Sequence, residues 1–546
     1  MHSLTPLASA LLLFAGACKS PVEHSKNADD ETYALINERR AALFESEDPF
    51  QLASAEGGFR SRALSGELTQ LGPLSILDCM VIAAESNTSY LSQKESLYFS
   101  ALSLTQERWQ YGVQAETSGG ASISGVGTDS ASASTSGDFT LSKILGSGAN
   151  IVLGVGSSLF RFVSTGDGWD AVSDISLSIS QPLMRAAGVK FTMESLTQSE
   201  RSLVYQVRNY ERFRRTFAVS VARQVYGVLQ SIDRLENQEL NLENLRSLRV
   251  RNERMAEAGQ LSDIQADQAR QQELASTNSL VVLRGDFERQ IDDFKLFLGL
   301  PPDLEIELDH DELQRLTDVA PLFDELTESS ALELALARRL DVQTSSDRLE
   351  DSQRGLEIAA ESLRPGLGLS ISASSGSKDG QPLRHSFKDT SWSAGLDLDP
   401  AWNNLPERNA FRRAEISLSV AARDYDRFLD QINLDVREAL RRTSNARERY
   451  TIQKGALELA QRRVRSADLS LQAGRSSTRD LLDAREALLA ARNSATSSLI
   501  DFTLARLELQ LTLELLRVDE TGIHLQEAVP PITPSFQDPT DGQAQE

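Results

Sequence analysis

Asp174-Ile175-Ser176-Leu177-Ser178-Ile179-Ser180-Gln181-Pro182-Leu183 is the stretch whose reading decides the fold. Ile175, Leu177 and Ile179 alternate with Ser176, Ser178 and Ser180, and a period of two marks a strand with one apolar and one wet face. Pro182 closes the run, and no proline follows until Pro301. The same order returns later. Leu367, Leu369, Ile371 and Ala373 alternate with Gly368, Ser370 and Ser372. After a polar turn Trp392, Ala394, Leu396 and Leu398 alternate again, Pro400 ends the run, and Glu407 to Val529 holds no proline. Proline lacks the backbone N–H and clashes with the preceding turn, so a long helix tolerates it least. The chain therefore reads as strands followed by very long helices, written twice. A helix of roughly 55 residues is about 80 Å long at a 1.5 Å rise, more than a compact domain needs, so length itself reads as the function.

Each proline-free stretch carries a glycine near its middle, Gly259 in Glu257-Ala258-Gly259-Gln260-Leu261-Ser262 and Gly474 in Gln472-Ala473-Gly474-Arg475-Ser476-Ser477. Glycine supplies the left-handed residue that closes a helix, and serine caps the next one. Each stretch is expected to fold back as an antiparallel helical hairpin. Leu481, Ala484, Leu488, Ala491, Ala495, Ser498, Phe502, Ala505, Leu509, Thr512 and Leu516 step by threes and fours, as a coiled-coil seam does. Val221, Val225, Val228, Ile232 and Leu235 keep the same spacing in the first stretch.

Composition narrows the classes. The 546 residues are 40% hydrophobic but only 6% aromatic, and the formal charge of −23 argues against binding nucleic acid or anionic lipid. No interior run of about 18 apolar residues offers a membrane-spanning helix. Residues 1–17 read as a signal peptide with the apolar core Leu4 to Ala17. Phe14-Ala15-Gly16-Ala17-Cys18 resembles a bacterial lipobox, which makes Cys18 the expected lipidation site; the alternative is an ordinary signal peptide in which Cys18 is incidental. Cys79, among Ile76, Leu77, Met80 and Val81, reads as a small core residue. Residues 18–72 read as a polar tether with one short helix, and a cleaner helix is expected from Pro73 to about Gln114. The region 117–182 is rich in Gly, Ser, Ala and Thr. A membrane barrel strand needs roughly 9–11 alternating residues, so this region and 366–400 are the candidate barrel strands; a soluble sheet is the alternative. A linker is expected at 301–326 and a disordered tail at 521–546. The histidines (His2, His24, His310, His385, His524) lack metal-ligand spacing. There is no phosphate-binding glycine loop and no GxSxG nucleophile motif. The sequence therefore implies no enzyme, no cofactor and no metal.

Leu74-Ser75-Ile76-Leu77-Asp78, Ser180-Gln181-Pro182-Leu183, Ala258-Gly259-Gln260-Leu261-Ser262 and Phe297-Leu298-Gly299-Leu300-Pro301 occur in that order in the first copy. Ala337-Arg338-Arg339-Leu340-Asp341, Leu363-Arg364-Pro365 and Ala473-Gly474 through Asp480-Leu481-Leu482-Asp483-Ala484 follow in the second. With these pieces the chain resembles the TolC-like outer-membrane efflux protein family from about Leu74 to Leu516. The resemblance implies an α+β membrane protein with an internal two-fold repeat, at 73–300 (hairpin 183–300) and 327–520 (hairpin 407–520). It implies a homotrimer whose protomers each give about four strands to one 12-stranded β-barrel, continued by a long coiled-coil α-helical periplasmic barrel. One protomer's strands cannot close a barrel, and open edges are not tolerated in lipid. Because 117–182 is longer than two strands need, an extra surface loop or an additional hairpin is expected there. The family implies a passive exit duct of a tripartite efflux pump or type I secretion system in the bacterial outer membrane, lipid-anchored and reaching into the periplasm. Its partners would be a periplasmic adaptor (membrane fusion) protein and an inner-membrane transporter. Asp480 and Asp483 match the acidic ring of the family's periplasmic gate; their i, i+3 spacing puts both on one helix face, and the alternative is a solvated face paired with Arg479 and Arg485. The turns Gly259, Gln260, Leu261, Ser262 and Gly474, Arg475, Ser476, Ser477 are the candidate adaptor contacts. A periplasmic adaptor and a structural coiled-coil protein are the rival readings.

Overall fold

The computed structural model describes residues 20–44, 49–52, 58–68, 70–126, 130–162, 170–316, 326–378, 381–519 and 522–524. Cys18 and the signal peptide lie outside them. In chain order the elements are α1 (Pro21–Phe44), α2 (Phe59–Leu64), β1 (Gln70–Leu74), α3 (Ile76–Ser86), α4 (Thr88–Tyr111), β2 (Gln114–Val126), β3 (Ser130–Ile144), β4 (Asn150–Phe162) and β5 (Asp170–Pro182). There follow α5 (Val189–Thr192), α6 (Glu194–Glu257), α7 (Asp263–Leu298), β6 (Glu305–Leu308), α8 (Asp311–Arg315), α9 (Glu328–Arg338) and α10 (Leu340–Glu361). The chain then forms β7 (Gly366–Lys378), β8 (Gln381–His385), β9 (Ser391–Asp399), α11 (Leu405–Gln472), α12 (Thr478–Thr512), β10 (Arg517–Asp519) and β11 (Gly522–His524). The proline-free stretches become helices of 64 and 36 residues, α6 and α7, and of 68 and 35 residues, α11 and α12. One compact unit takes its described residues from Met1–Phe50, Ser96–Val207 and Thr344–Asp426, the other from Gln51–Glu95, Arg208–Gln343 and Arg427–Glu546.

The first unit is built on one antiparallel sheet. Its strands run in the order β2-β3-β4-β5-β7, β9 pairs along the far edge of β7, and the short β8 pairs with the end of β7. This corrects the expectation of about four strands. Residues 114–182 carry four long strands rather than two, and with β7 and β9 the sheet has six long strands. The additional hairpin is β2–β3. Small residues (Gly119, Gly120, Ala121, Ser122, Ala131, Ser132, Ala133, Ser134) fill it, so apolar and polar positions barely differ and the period-two signal fades.

Helix α1 also belongs to this unit, inside the segment whose sequence reads as a tether. Ser20 and Glu23 cap it reciprocally: the Glu23 N–H donates to Ser20 Oγ (3.3 Å) and the Ser20 N–H to Glu23 Oε2 (2.9 Å), with Pro21 at the first helical position. Ile36 is fully buried, Tyr33 packs between Phe50 and Tyr98, and the Tyr98 hydroxyl donates to Asp29 at 2.7 Å. Elsewhere in the unit, α6 and α10 are joined by a polar ladder. Arg201 Nε meets Asp351 at 2.7 Å, the Tyr205 hydroxyl donates to the same carboxylate at 2.7 Å, and Arg354 bridges Glu194 and Asp351.

Among the described residues, the second unit holds three apolar clusters. The largest joins Cys79, Ile82 and Tyr90 to Phe217, Val225, Phe294 and Leu298, with Ile500 and Leu507 of α12. Burial pushes the Cys79 thiol up to about 12, so it stays protonated and inert. Gly299 is left-handed (φ +81°), and a Cβ there would lie 2.1 Å from the Ser86 carbonyl oxygen, so Phe297-Leu298-Gly299 can close α7 only with glycine. The second cluster sets Leu509 of α12 and Leu513 just past its end against Leu334, Ile432 and Val436. Beside it Arg339, 4% exposed, forms a two-pronged pair with Asp341 (3.0 and 2.8 Å), and Asp341 also meets Arg212. The third cluster is small and lies at the hairpin turns: Leu248, Ala269 and Leu481, with Val464 and Leu471 against them.

Candidate functional site

The sheet's register sorts its side chains onto two unlike faces. Leu141, Leu153, Leu177, Ala373 and Trp392 stand in one row across five strands, and Ile151, Ile179, Ile371 and Ala394 stand in the next. On the opposite face Thr140, Gly154, Ser176, Ser374 and Ser391 form one row, and Ser142, Val152, Ser178, Ser372 and Ser393 the next. Serine hydroxyls bond across strands on this face: Ser122 to Ser134 at 2.8 Å, Ser372 to Ser393 at 2.8 Å and Ser374 to Ser391 at 2.8 Å. The apolar face is open in the single chain, with Leu177 40%, Leu396 67% and Trp392 78% exposed. A contiguous apolar surface of this extent needs a covering, by lipid or protein. Among the described residues no helix is long and apolar enough to cross a membrane.

The two glycine turns are built alike. Gly259 (φ +70°) and Gly474 (φ +66°) are left-handed. The Gln260 N–H bonds back to the Met255 carbonyl (2.8 Å) and Gly259 to Ala256 (2.9 Å); Arg475 bonds to Ser470 (2.9 Å) and Gly474 to Leu471 (3.0 Å). Each is a Schellman closure that satisfies the last carbonyls of its helix. Of the turn residues, Gly259, Gln260, Ser262, Gly474 and Arg475 are exposed, while Leu261, Ser476 and Ser477 are half-buried. Ile264, just past the first turn, is 70% exposed.

The next helices start differently. Ser262 occupies the N-cap of α7 without a side-chain cap bond. Ser477 caps α12 in a full capping box whose acid is Asp480. Asp480 Oδ2 accepts from the Ser477 N–H (2.9 Å), the Ser477 hydroxyl (2.8 Å) and the Ser476 hydroxyl (2.9 Å). These donors, with the nearby Arg479 charge, hold its carboxyl below the usual range, so it remains ionised. Asp483 is exposed one turn further on. Arg485 turns inward instead: it lines a cavity of about 220 Å³ with Asn237, Asn241, Asn244 and Arg492, and burial lowers its basicity.

Sequence reading missed what joins the two hairpins. Asn252, 1% exposed, donates to the hydroxyl of Thr478, which is fully buried, at 3.0 Å, and that hydroxyl donates to Gln265 Oε1 at 3.2 Å. Arg251 meets Asp468 at 3.3 Å beside them. A lone Asn on a helix carries no local signal of such a partner. The Ser477-x-x-Asp480 cap, by contrast, was written in the sequence.

The architecture is thus an antiparallel sheet with one apolar and one hydroxyl face, together with helices of more than sixty residues that turn back on glycine. Residues 331–516 match the family model described as outer membrane efflux protein. No curated protein matches the chain. Among solved structures, the outer membrane protein VceC of Vibrio cholerae is 16% identical over 80% of this chain and 95% of its own, with a TM-score of 0.57. The Campylobacter jejuni CmeC outer membrane channel is 14% identical over 80% of this chain and 85% of its own, at 0.56. The open state of the Neisseria gonorrhoeae MtrE outer membrane channel is 14% identical over 86% and 95%, at 0.55. At these identities the likeness is one of fold.

Proposed function

We propose that the chain is a subunit of an outer-membrane exit duct, passively conducting solutes delivered by an inner-membrane transporter. The observation that carries this reading is the two-faced sheet. Lipid covers its apolar face, and its serine- and glycine-rich face lines a wet lumen, as in membrane barrels. The repeated order of helix, strands and glycine-closed hairpin fits a duplicated unit, and three copies fit the closure that one open sheet cannot reach alone. The helical hairpins of the copies then continue the lumen into the periplasm as a coiled-coil barrel. The paired turns at Gly259–Ser262 and Gly474–Ser477 offer the contact to an adaptor protein, and Ile264 adds an apolar handle. Asp483, and Asp480 in its cap, supply the negative charge of a gate that attracts cations and repels anions. Acylation of Cys18 belongs to the same reading. A soluble adaptor leaves the open apolar face of the sheet without a role. In planar bilayers the purified chain is expected to conduct, with cation preference reduced by the Asp480→Ala, Asp483→Ala double variant. A protein that is recovered outside the outer membrane and conducts no ions overturns the reading.

A further inference from the structure

We infer that β2–β3 is part of the duct wall, that neighbouring copies join through β2 of one and β9 of the next, and that a three-copy ring is therefore an eighteen-stranded barrel, not a twelve-stranded one. The inference rests on the outer-membrane reading above and specifies its assembly. The sheet ends in β2 on one side and β9 on the other, and each pairs with only one neighbour among the described residues. Such edges present unpaired N–H and C=O groups, which hydrocarbon does not tolerate.

β4 cannot serve as the edge. β3 pairs with it from Ser132↔Phe162 to Ile144↔Asn150, and β5 pairs with it from Asn150↔Ser180 to Phe160↔Asp170. The β2–β3 hairpin is likewise paired along its whole length, Gln114↔Ser142 to Val126↔Ser130. It is a continuous part of the sheet. β2, β3, β4, β5 and β7 have 13 or 15 residues and β9 has 9, the length a tilted membrane strand needs.

Direction and face agree at the seam. Every pairing is antiparallel, so six long strands leave β2 and β9 running in opposite directions, and a β9-to-β2 contact between copies is antiparallel too. Ile123 of β2 lies on the face that carries Leu396 and Leu398 of β9, while Ser122 and Ser124 lie on the face of Ser391 and Ser393. Apolar meets apolar and hydroxyl meets hydroxyl. Barrel diameter grows roughly linearly with strand number, so the lumen is about 1.5 times as wide as a twelve-stranded one.

The test places cysteines on the hydroxyl face. Ser122→Cys is combined in turn with Ser391→Cys, Ser393→Cys and Gly395→Cys; a control series replaces Ser122→Cys by Ser158→Cys on β4. Under mild oxidation the β2 series is expected to give disulfide-linked oligomers and the β4 series none. A chain lacking 114–145, which joins α4 to β4, is expected to form a trimer whose polymer size cut-off, probed with polyethylene glycols from the strand side, falls about 1.5-fold. A trimer whose links run from β9 to β4, or a deletion with unchanged cut-off, overturns the seam while leaving the duct reading intact. A full-length chain that stays monomeric in detergent overturns the duct reading and the seam with it.

Discussion

Asp480 holds two roles in one carboxylate. Its bonds to Ser476 and Ser477 fix the first turn of α12, and its charge stays on the helix surface. Because its folded pKa is depressed, its contribution is fully present above the ordinary carboxylate value of about 4 and is lost as pH falls through the lower folded value. The cap and the charge separate by substitution. Asp480→Ala is expected to speed amide exchange in the first turn of α12, whereas Asp483→Ala leaves that turn intact and lowers cation preference alone. Unchanged exchange in Asp480→Ala would remove the cap from the account. Sequence reading found both acids and the glycines beside them, since turns and caps are written in neighbouring residues. It did not find the Asn252–Thr478–Gln265 chain, because its members meet only after two helices have folded back.

At the scale of elements, what was legible and what was hidden divide by contrast. Strongly patterned segments spoke plainly: α6, α7, α11 and α12 fill the proline-free stretches and break at Gly259 and Gly474. None of the seam residues from Leu481 to Leu516 is exposed. Weakly patterned segments did not. The β2–β3 hairpin is made of residues too small to show alternation, and α1 buries Thr32 and Arg40 beside Leu35 and Ile36, so its apolar stripe is thin. Its start was readable all the same in Ser20-Pro21-Val22-Glu23. The Arg338-Arg339-Leu340-Asp341 segment gains its physical meaning here. Arg339 is held between Asp341 and Asp435, and burial of Asp341 is outweighed by Arg339 and Arg212, which keep its pKa below the ordinary value. Arg339→Ala removes the two-pronged partner and leaves Asp341 with Arg212 alone, and is expected to lose about 1–3 kcal/mol, measured by denaturant unfolding. The Asp341 share of stability is present above about pH 4 and fades as pH drops through its lower folded pKa. A variant that unfolds at the parental denaturant midpoint would show the pair to be idle.

For the whole molecule, the two faces of the sheet make opposite predictions for adjacent residues. Leu177→Lys puts a charge on the face proposed to meet lipid and is expected to cost about 2–4 kcal/mol near the bilayer midplane, seen as loss of membrane assembly. Ser178→Lys, one residue along on the hydroxyl face, should assemble and shift selectivity toward anions. Equal tolerance of both would mean that the faces are not lipid and lumen. The helices differ as unequally as the faces do. α12 is gripped on two sides, by Ile500 and Leu507 in one cluster and by Leu509, with Leu513 at its C-cap, in another. Beyond Ala446, α11 packs its apolar side chains into the small cluster through Val464, Ala467 and Leu471, stacks Tyr450 on Phe502 and pairs Asp468 with Arg251. The arms of this hairpin thus differ in how deeply they are packed, and amide exchange is expected to run faster along the outer half of α11 than along α12.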